Sequence, residues 1–378
     1  MIPTVPTVIG VKMNIWKLLP LALICIALTY SDDEVQLTPE EHRENRRAIE
    51  LGLNYLLANQ NDDGSFSGKE DQKYAISVTS FAGLSLMAAG NLPQRGKHGV
   101  ALYKALQYIL ASVNRSGYIT TNIDESKMHG HCYAALFLAQ ICGTSRDYSE
   151  ELSQNTAYSV KNVRRALERS IKIIIDSQTA EGGWGYLPHD KDHEGSITVC
   201  AIQALRAARN VGIRVPKKTI ERAITYIRRS ANDDGTFMYR LGMTQRRKSF
   251  PLAAAGVSSL NGTGEYDSLE IKRGLKFMME YLPPNGKKDQ FYNRFFYYGH
   301  FYAVQAMFHA PSHTGYWKSW YPAVRKEFLR LQNKKKGSWG GRTPFNTTGH
   351  SVIGEVYATA VATLILQVPY RYLPIFQK

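Results

Sequence analysis

The stretch LNYLLANQNDDGSF, residues 53–66, ends an amphipathic helix in a short polar turn. Gln60 is followed four residues later by Gly64 and six residues later by Phe66. Glycine permits a chain reversal that other residues resist. A glutamine amide can tie two backbone segments together, and an aromatic ring can cover the joint between them. The stretch therefore predicts a tight turn between two packed helices.

The same turn recurs along the chain. Two full copies and two imperfect copies use the residues Gln60, Gly64, Phe66, Gln178, Gly182, Trp184, Gly235, Phe237, Gln332, Gly337 and Trp339. Weaker copies close on Gly117 and Gly286. Gly64 and Gly117 are 53 positions apart, as are Gly182 and Gly235, and only the step from Gly117 to Gly182 is longer, at 65. A fixed period with one insertion predicts a repeat protein.

Each turn joins two helices of different character. The segment IERAITYIRRS, residues 220–230, carries its charges on one face, whereas YAISVTSFAGLSLMAAG, residues 74–90, is apolar or small on all sides. A helix that is apolar all round is buried all round. Six such hairpins bury their inner helices if they close into a ring. The sequence thus predicts an all-α fold, an α/α toroid (α6/α6 barrel) of about six helical hairpins, over residues 42–378.

Acidic residues in the turns predict helix caps. Asp62, Asp63, Asp233 and Asp234 can accept hydrogen bonds from the free N–H groups at the start of an inner helix. The positive end of the helix dipole favours negative charge at the same place. We therefore expect these aspartates to cap the inner helices.

The N-terminus has the composition of a secretory leader. Residues 1–31 are predicted to be a signal peptide, with Met13 as the better start, because Lys17 precedes an apolar run that is too short to span a bilayer. Residues 32–41 form a short linker to the toroid. The predicted location is secreted or periplasmic. The alternative is an uncleaved N-terminal membrane anchor.

The chain is basic. Its formal net charge is +15, which becomes +13 without residues 1–31, because that segment holds Lys12 and Lys17 and no acid. Basic runs such as 246–248 and 334–336 could attract a polymeric or acidic ligand or an anionic membrane surface, with peripheral membrane association. No nucleic-acid-binding signature is present, so nucleic acid is not expected as a partner. We expect a monomer.

Three cysteines remain after the leader. Cys132 and Cys142 lie ten residues apart on one predicted helix, about 15 Å, which is too far for a disulfide. Cys132 and Cys200 lie on neighbouring inner helices, and the sequence leaves open whether they pair. The odd number and the apolar surroundings favour free thiols in the core.

The Gln–Gly–aromatic turns between paired helices resemble the repeats of squalene cyclases and protein prenyltransferases, the terpenoid cyclase α/α toroid superfamily. The resemblance covers about residues 42–370 and implies the fold much more strongly than an activity. Cyclases of this kind start the reaction with an Asp-any-Asp-Asp stretch at the opening of an inner helix. The resemblance places Glu194, Ser196 and Ile197 at the acidic positions, and a serine cannot protonate an alkene. The family's cyclases are also expected to use two toroids.

The second signature of the superfamily is a zinc site. Protein prenyltransferases hold zinc with Asp-any-Cys and a distant histidine, and no cysteine of this chain has an aspartate two residues before it. The resemblance therefore implies neither known reaction. We predict no metal and no cofactor.

One further pattern is not part of the resemblance to this superfamily. Gly–His pairs open three inner helices, which in a ring would converge on one mouth, together with acids near residue 192. Converging histidines and carboxylates could bind metal or transfer protons. The candidate catalytic residues are His131, Asp192, His193, His300 and His350, with His129 nearby. The alternative is that each histidine caps its own hairpin.

An aromatic hairpin, FYNRFFYYGHFY, adds candidate ligand contacts. The predicted ligand-binding residues are Tyr298, Tyr302, Glu194 and Ser196. The first functional hypothesis is a binding or scaffold toroid for an apolar (isoprenoid) or polymeric ligand. The second is a divergent enzyme that uses the His/Asp mouth, either isoprenoid cyclase-like or glycan-active. A deep aromatic cavity would favour an isoprenoid ligand. A polar cleft with paired carboxylates would favour a glycan, and a filled ring would favour a scaffold.

Overall fold

The computed structural model describes residues 35, 37–144, 159–243, 248–285, 288–340, 347–371 and 373. Over these residues the structure is helical and contains no β-strand. The helices are α1 (Pro39–Ala58), α2 (Ala75–Ala88), α3 (Gly99–Ala111), α4 (Lys127–Thr144), α5 (Val160–Asp176), α6 (Gly195–Asn210), α7 (Lys217–Ser230), α8 (Phe250–Thr263), α9 (Leu269–Met279), α10 (Gln290–Arg294), α11 (Phe296–Phe308), α12 (Tyr316–Leu331) and α13 (Glu355–Gln367). The predicted leader and the turn glycine Gly286 lie outside the described residues.

The long helices form two concentric layers. The inner layer consists of α2, α4, α6, α8, α11 and α13, and the outer layer consists of α1, α3, α5, α7, α9 and α12. Each inner helix contacts the next, and α13 returns to contact α2. Every residue of α2 is buried, whereas α7 buries one face. The predicted closed, all-α toroid is therefore confirmed.

Polar contacts join the last repeat to the first. The hydroxyl oxygens of Ser85 in α2 and Thr363 in α13 are 2.6 Å apart. The Gln332 side chain, after α12, donates a hydrogen bond to the carbonyl oxygen of Ala48 in α1 at 2.9 Å. The ring thus closes through both layers.

The turn glutamines link adjacent repeats. Gln178 Nε2 donates to the carbonyl oxygen of Gly182, in its own turn, and to that of Thr219, in the next outer helix, both at 2.9 Å. Gln60 makes the equivalent pair of bonds to Gly64 and Ala101, at 3.1 and 2.8 Å. One amide therefore satisfies two carbonyls and holds consecutive hairpins in register.

In three of the turns, the aromatic residue is hydrogen-bonded to the inner helix that follows. Its backbone N–H donates to a threonine hydroxyl in the first turn of that helix. The pairs are Phe66 with Thr79 (2.9 Å), Trp184 with Thr198 (3.2 Å) and Trp339 with Thr359 (3.0 Å). All three aromatic side chains are fully buried. This contact sets the register between turn and inner helix.

The turn aspartates do not cap the inner helices, contrary to the expectation from the sequence. Asp63 Oδ1 accepts from the backbone N–H and the hydroxyl of Ser65 at 2.9 and 2.7 Å, and Asp234 accepts the same two groups of Thr236. The aspartates before them in each turn are exposed. Since the inner helix begins only at Ala75, the carboxylates stabilise the turn itself.

An inner-helix cap comes instead from a neighbouring repeat. The carboxylate of Asp71, which is buried, accepts from the backbone N–H groups of Val356 and Tyr357 at 3.2 and 3.3 Å. These groups belong to the first turn of α13, where helical N–H groups lack partners. Asp71 thereby helps to close the ring at the end where the inner helices begin.

Replacing Gly182 with alanine is expected to destabilise the protein by about 3 kcal/mol. Gly182 has φ +95°, and an added Cβ would lie 2.4 Å from the carbonyl oxygen of Arg222. Gly90 is the matched control, because it has φ +82° but nothing within 4 Å of an added Cβ. Gly90→Ala should cost only the left-handed strain, about 1 kcal/mol. Urea denaturation measures both, and equal losses would contradict a role for the close approach.

Candidate functional site

The inner helices surround a cavity at the end where they begin. Its volume is about 650 Å³, and its lining includes seven tyrosines and two phenylalanines. Two of the lining residues at the helix starts, Ser77 and Ser196, have small side chains, which leaves space inside the ring. The cavity is the candidate functional site.

At the equivalent position near its start, each inner helix places a residue in the lining of the cavity. These six residues are Ser77, His129, Ser196, Leu252, Tyr298 and Tyr357. In the first repeat, Ser77 lies two residues before Thr79, the threonine that contacts the turn. The same step of two relates Ser196 to Thr198 and Tyr357 to Thr359. The first turn of each inner helix therefore has one position for the cavity and another for the turn.

His131 occupies the turn position of the second repeat. The backbone N–H of Ile119 donates to His131 Nδ1 at 3.0 Å. In three other repeats, the backbone N–H of the turn aromatic residue donates to a threonine hydroxyl in the same way. The protonated Nε2 consequently donates to the carbonyl oxygen of Ser170 at 3.0 Å. The ring is fully buried, and burial lowers the pKa of His131 to about 4. His131 is thus a structural link between hairpins.

His300 occupies the equivalent position in α11. Its Nδ1 donates to the carbonyl oxygen of Phe296 at 2.8 Å, and its Nε2 accepts from the Tyr292 hydroxyl at 3.3 Å. Burial lowers the pKa of His300 to about 4. The predicted convergence of the three Gly–His pairs is therefore wrong for His131 and His300, because both of their ring nitrogens are used outside the cavity. Of the three histidines in Gly–His pairs, His350 is the one that lines the cavity.

The predicted acids lie at the rim. The Asp192 side chain is exposed, and one of its carboxylate oxygens is 3.3 Å from Arg240. Glu194 is buried and accepts from Arg240 Nη2 at 2.8 Å and from the Tyr239 hydroxyl. Both acids line a smaller side pocket of about 350 Å³ beside the cavity. The structure does not bring them to the cavity.

The remaining candidates divide between the cavity and the outer layer. Ser196 and Tyr298 line the cavity, and the Tyr298 hydroxyl donates to the Ser196 carbonyl oxygen at 3.3 Å. His193 Nδ1 is 3.0 Å from the Tyr226 hydroxyl, which belongs to the outer helix α7. His193 therefore contacts the outer layer through this bond.

Tyr302 lies among buried polar groups next to the cavity. Its hydroxyl is 3.0 Å from that of Tyr133, which lines the cavity, and 3.2 Å from the sulfur of Cys200. Burial raises the pKa of the Cys200 thiol to about 12. Cys132, Cys142 and Cys200 are buried thiols that form no disulfide, so Cys132 and Cys200 do not pair.

His129 lines the cavity beside two tyrosine rings. Its ring centroid is 6.3 Å from that of Tyr133 and 5.8 Å from that of Tyr186. Burial lowers the pKa of His129 to about 4, so the ring is neutral at neutral pH. The sequence contained a signal for His129, because this residue lies two positions before His131. His129 therefore occupies the position in its helix that Ser77 occupies in α2.

The cavity holds little charge. Glu125 is the one acid in its lining, and this exposed carboxylate is 2.9 Å from Lys73. Within the described ranges, no three histidine, cysteine, aspartate or glutamate side chains are arranged to hold a metal ion. Over the same residues, no helix is both long and apolar enough to cross a membrane. The lining is mainly aromatic and neutral polar, and its charged side chains are those of Glu125 and Arg294.

Comparison with known proteins identifies the family. The chain belongs to the prenyltransferase alpha-alpha toroid domain family, whose model matches residues 26–240. A search of curated proteins finds no match. The predicted membership of the terpenoid cyclase and prenyltransferase superfamily is therefore confirmed.

Solved structures share the fold at low sequence identity. A variant of the type II terpene cyclase MstE from Scytonema, in complex with the product merosterolic acid A, is 14% identical with a TM-score of 0.58, covering 88% of this chain and 99% of that one. Another MstE variant, with the substrate geranylgeranyl dihydroxybenzoate, has a TM-score of 0.54 at 14% identity and covers 86% and 97%. A glycosidase matches with a TM-score of 0.52 at 11% identity, covering 90% and 100%.

These matches correct one expectation from the sequence. Nearly the whole MstE chain aligns with this single toroid, so a type II terpene cyclase does not require two toroids. The single ring of this protein is consequently no argument against an enzyme. Sequence identities this low support a shared fold alone, and the activity depends on the residues of the site.

Proposed function

We propose that this protein binds an isoprenoid chain in its central cavity and does not cyclise it by protonation. The observation that carries the proposal is the aromatic lining of a cavity of about 650 Å³. This volume falls within the range of about 300–1,000 Å³ that is typical of small-molecule sites. Tyrosine and phenylalanine rings offer a large apolar surface to a branched, unsaturated hydrocarbon.

The absence of a suitable acid in the lining supports binding rather than protonation. Ser196 faces the cavity where the cyclase resemblance requires the central acid, and a hydroxyl is far too weak to protonate an alkene. Glu194 lines the smaller side pocket, where it accepts hydrogen bonds from Arg240 and from the Tyr239 hydroxyl. Glu125 is exposed and paired with Lys73. Strong-acid catalysis therefore has no candidate among the described lining residues.

Two other ligand classes fit less well. Glycoside hydrolysis uses a pair of facing carboxylates, whereas Glu125 is the single acid in the described lining. A pure scaffold would have a filled ring, and this ring is open at the end where the inner helices begin. The MstE complex with a geranylgeranyl substrate adds support for an isoprenoid, since a ring of the same fold accommodates that chain.

The location of the protein belongs to the same proposal. The apolar run between Lys17 and Ser31 supports export to the periplasm or the medium, and a retained anchor is the alternative. An exported isoprenoid carrier would shield an apolar molecule from water. The basic surface supports peripheral association with an anionic membrane as the source of that molecule.

Filling the cavity should abolish binding. Ser77→Trp places an indole in the space that Ser77 lines, and Ser319→Trp adds the same ring to an exposed position of the outer helix α12. We expect saturable binding of radiolabelled geranylgeraniol by the wild type and by Ser319→Trp in equilibrium dialysis. The dissociation constant of Ser77→Trp should rise at least tenfold. Equal binding by the two variants, or no saturable binding by the wild type, would refute the proposal.

A further inference from the structure

A second pocket lies at the opposite end of the ring, where the inner helices end. Its lining comes mainly from the last two turns of α4, α6, α8 and α11, and its buried polar residues are Gln140, Gln203, Ser258, Asn261 and Gln305. Its volume of about 30 Å³ leaves room for about two particles the size of a water molecule. This amide pocket is separate from the aromatic cavity, since the two share no lining residue.

The side-chain oxygen of Gln203 is an acceptor that meets no donor. Gln305 Nε2 donates to the carbonyl oxygen of Phe301 at 2.8 Å, so Gln305 presents its amide oxygen to Gln203. Gln203 Nε2 donates to that oxygen at 2.7 Å. These two bonds fix the orientation of the Gln203 amide, because a flipped amide would bring two oxygens into contact. Gln203 Oε1 is therefore an acceptor, and it has no hydrogen-bond partner among the described residues.

Two more amide oxygens in the same pocket lack a partner. Gln140 Oε1 and Asn261 Oδ1 are buried, and neither is hydrogen-bonded within the described part of the chain. Of the five buried side-chain nitrogen and oxygen atoms that lack a partner there, three thus line one small pocket. An unpaired buried acceptor costs free energy. An occupant that supplies positive charge or protons would remove this cost.

The surroundings of the pocket favour an occupant with a single positive charge. The carbonyl ends of four inner helices lie around it, and this end of a helix dipole attracts cations. No acid is among the described lining residues, whereas divalent ions are usually held by carboxylates.

Arg206 in the lining also limits the charge of the occupant. Its guanidinium donates to the Asn261 carbonyl oxygen at 2.9 Å and to the Tyr266 hydroxyl at 3.0 Å, and to none of the three unpaired amide oxygens. Its charge repels a divalent ion twice as strongly as a monovalent ion at the same distance.

We infer that the amide pocket binds a monovalent cation of the size of potassium, sodium or ammonium. The amide oxygens of Gln140, Gln203 and Asn261 are its ligands. Neutral carbonyl oxygens of this kind replace the hydration shell of monovalent ions. Because the three oxygens belong to three consecutive inner helices, the ion holds α4, α6 and α8 together at the end of the ring remote from the aromatic cavity.

Thermal unfolding of the full chain tests this site. The unfolding midpoint is measured in potassium, sodium and ammonium chloride, with tetramethylammonium chloride replacing each salt in steps at constant ionic strength. Tetramethylammonium is too large for the pocket and has no proton to donate. We expect at least one small cation to raise the midpoint saturably, by about 2 °C at ten times its dissociation constant. The comparison of the three salts identifies the preferred ion.

Two matched variants locate the effect. Gln140→Leu keeps the approximate size of the side chain and removes one ligand oxygen, so the rise in midpoint should largely disappear. Gln367→Leu is the control, because Gln367 is buried at the end of α13 and donates to the Ser85 carbonyl oxygen but does not line the pocket. The control should unfold at a lower temperature in every salt and keep the full rise. Only the difference between salts is compared, so a general loss of stability does not affect the result.

Two outcomes would overturn the inference. Equal midpoints of the wild type in all four salts would leave water as the occupant of the pocket. An equal rise in the wild type and in Gln140→Leu would show that the ions act elsewhere on the protein. Asn261→Leu replaces Gln140→Leu in the same comparison if the latter does not fold. None of these results depends on whether the aromatic cavity binds an isoprenoid.

Discussion

Replacing Trp184 with alanine is expected to lower the free energy of unfolding by about 3–5 kcal/mol, among the largest effects of a single core substitution. The indole is fully buried, and its Nε1 donates to the carbonyl oxygen of Ile174 at 2.6 Å. Truncation would leave a cavity between α5 and α6 and an unpaired buried carbonyl. Urea denaturation of both proteins gives the difference.

Trp184→Phe is the matched variant for this prediction. A phenyl ring retains much of the buried apolar area but cannot donate to Ile174, so we expect a loss of about 1–3 kcal/mol. The graded order wild type, phenylalanine, alanine would separate packing from the hydrogen bond. If Trp184→Ala unfolds at the same urea concentration as the wild type, the aromatic residue of the turn has no structural role.

Acidification should destabilise the protein strongly between about pH 6.5 and pH 4. Burial lowers the pKa of His131 and of His300 to about 4 in the folded state, whereas an unfolded histidine has its ordinary pKa near 6.5. Within this window the unfolded chain binds protons that the folded chain does not. The free energy of unfolding therefore falls as the pH falls, by roughly 3 kcal/mol for each ring over the whole window.

His131→Thr tests this assignment. Threonine occupies the same position in three other repeats and keeps an acceptor for the N–H group of Ile119. The variant should have a lower free energy of unfolding than the wild type at pH 7. This free energy should change less with pH than that of the wild type, by up to about 1.4 kcal/mol per pH unit. Burial raises the carboxyl pKa of Asp71 and of Asp124, which acts in the opposite direction but is common to both proteins. Parallel curves for variant and wild type would contradict the assignment.

The fold could be predicted from the sequence because its signals are local and repeated. Gly182 has a positive φ and lies against the backbone of the next outer helix, as do Gly64, Gly117, Gly235 and Gly337. Gln178 makes its two bonds within its own turn and to that same helix. Each repeat therefore encodes its own contact with the next, and the period of the turns, with the apolar inner helices, implies the ring.

Only part of the candidate site could be predicted from the sequence. Ser196, Tyr298 and His350 were predicted near the opening and line the cavity. His131 and His300 were predicted there because the Gly–His pairs open inner helices, but a helix turns about 100° per residue. The step of two that separates His129 from His131 therefore directs one ring into the cavity and the other into the turn.

The sequence by itself determined the class, the repeat unit and the closed ring, because turn chemistry and helix amphipathicity act over a few residues. Only the tertiary structure decided which side chains meet. The pairing of Tyr186 with Tyr239, which belong to different repeats, depends on how far each helix is rotated about its axis. That rotation results from side-chain packing around the whole ring, and no single repeat encodes it.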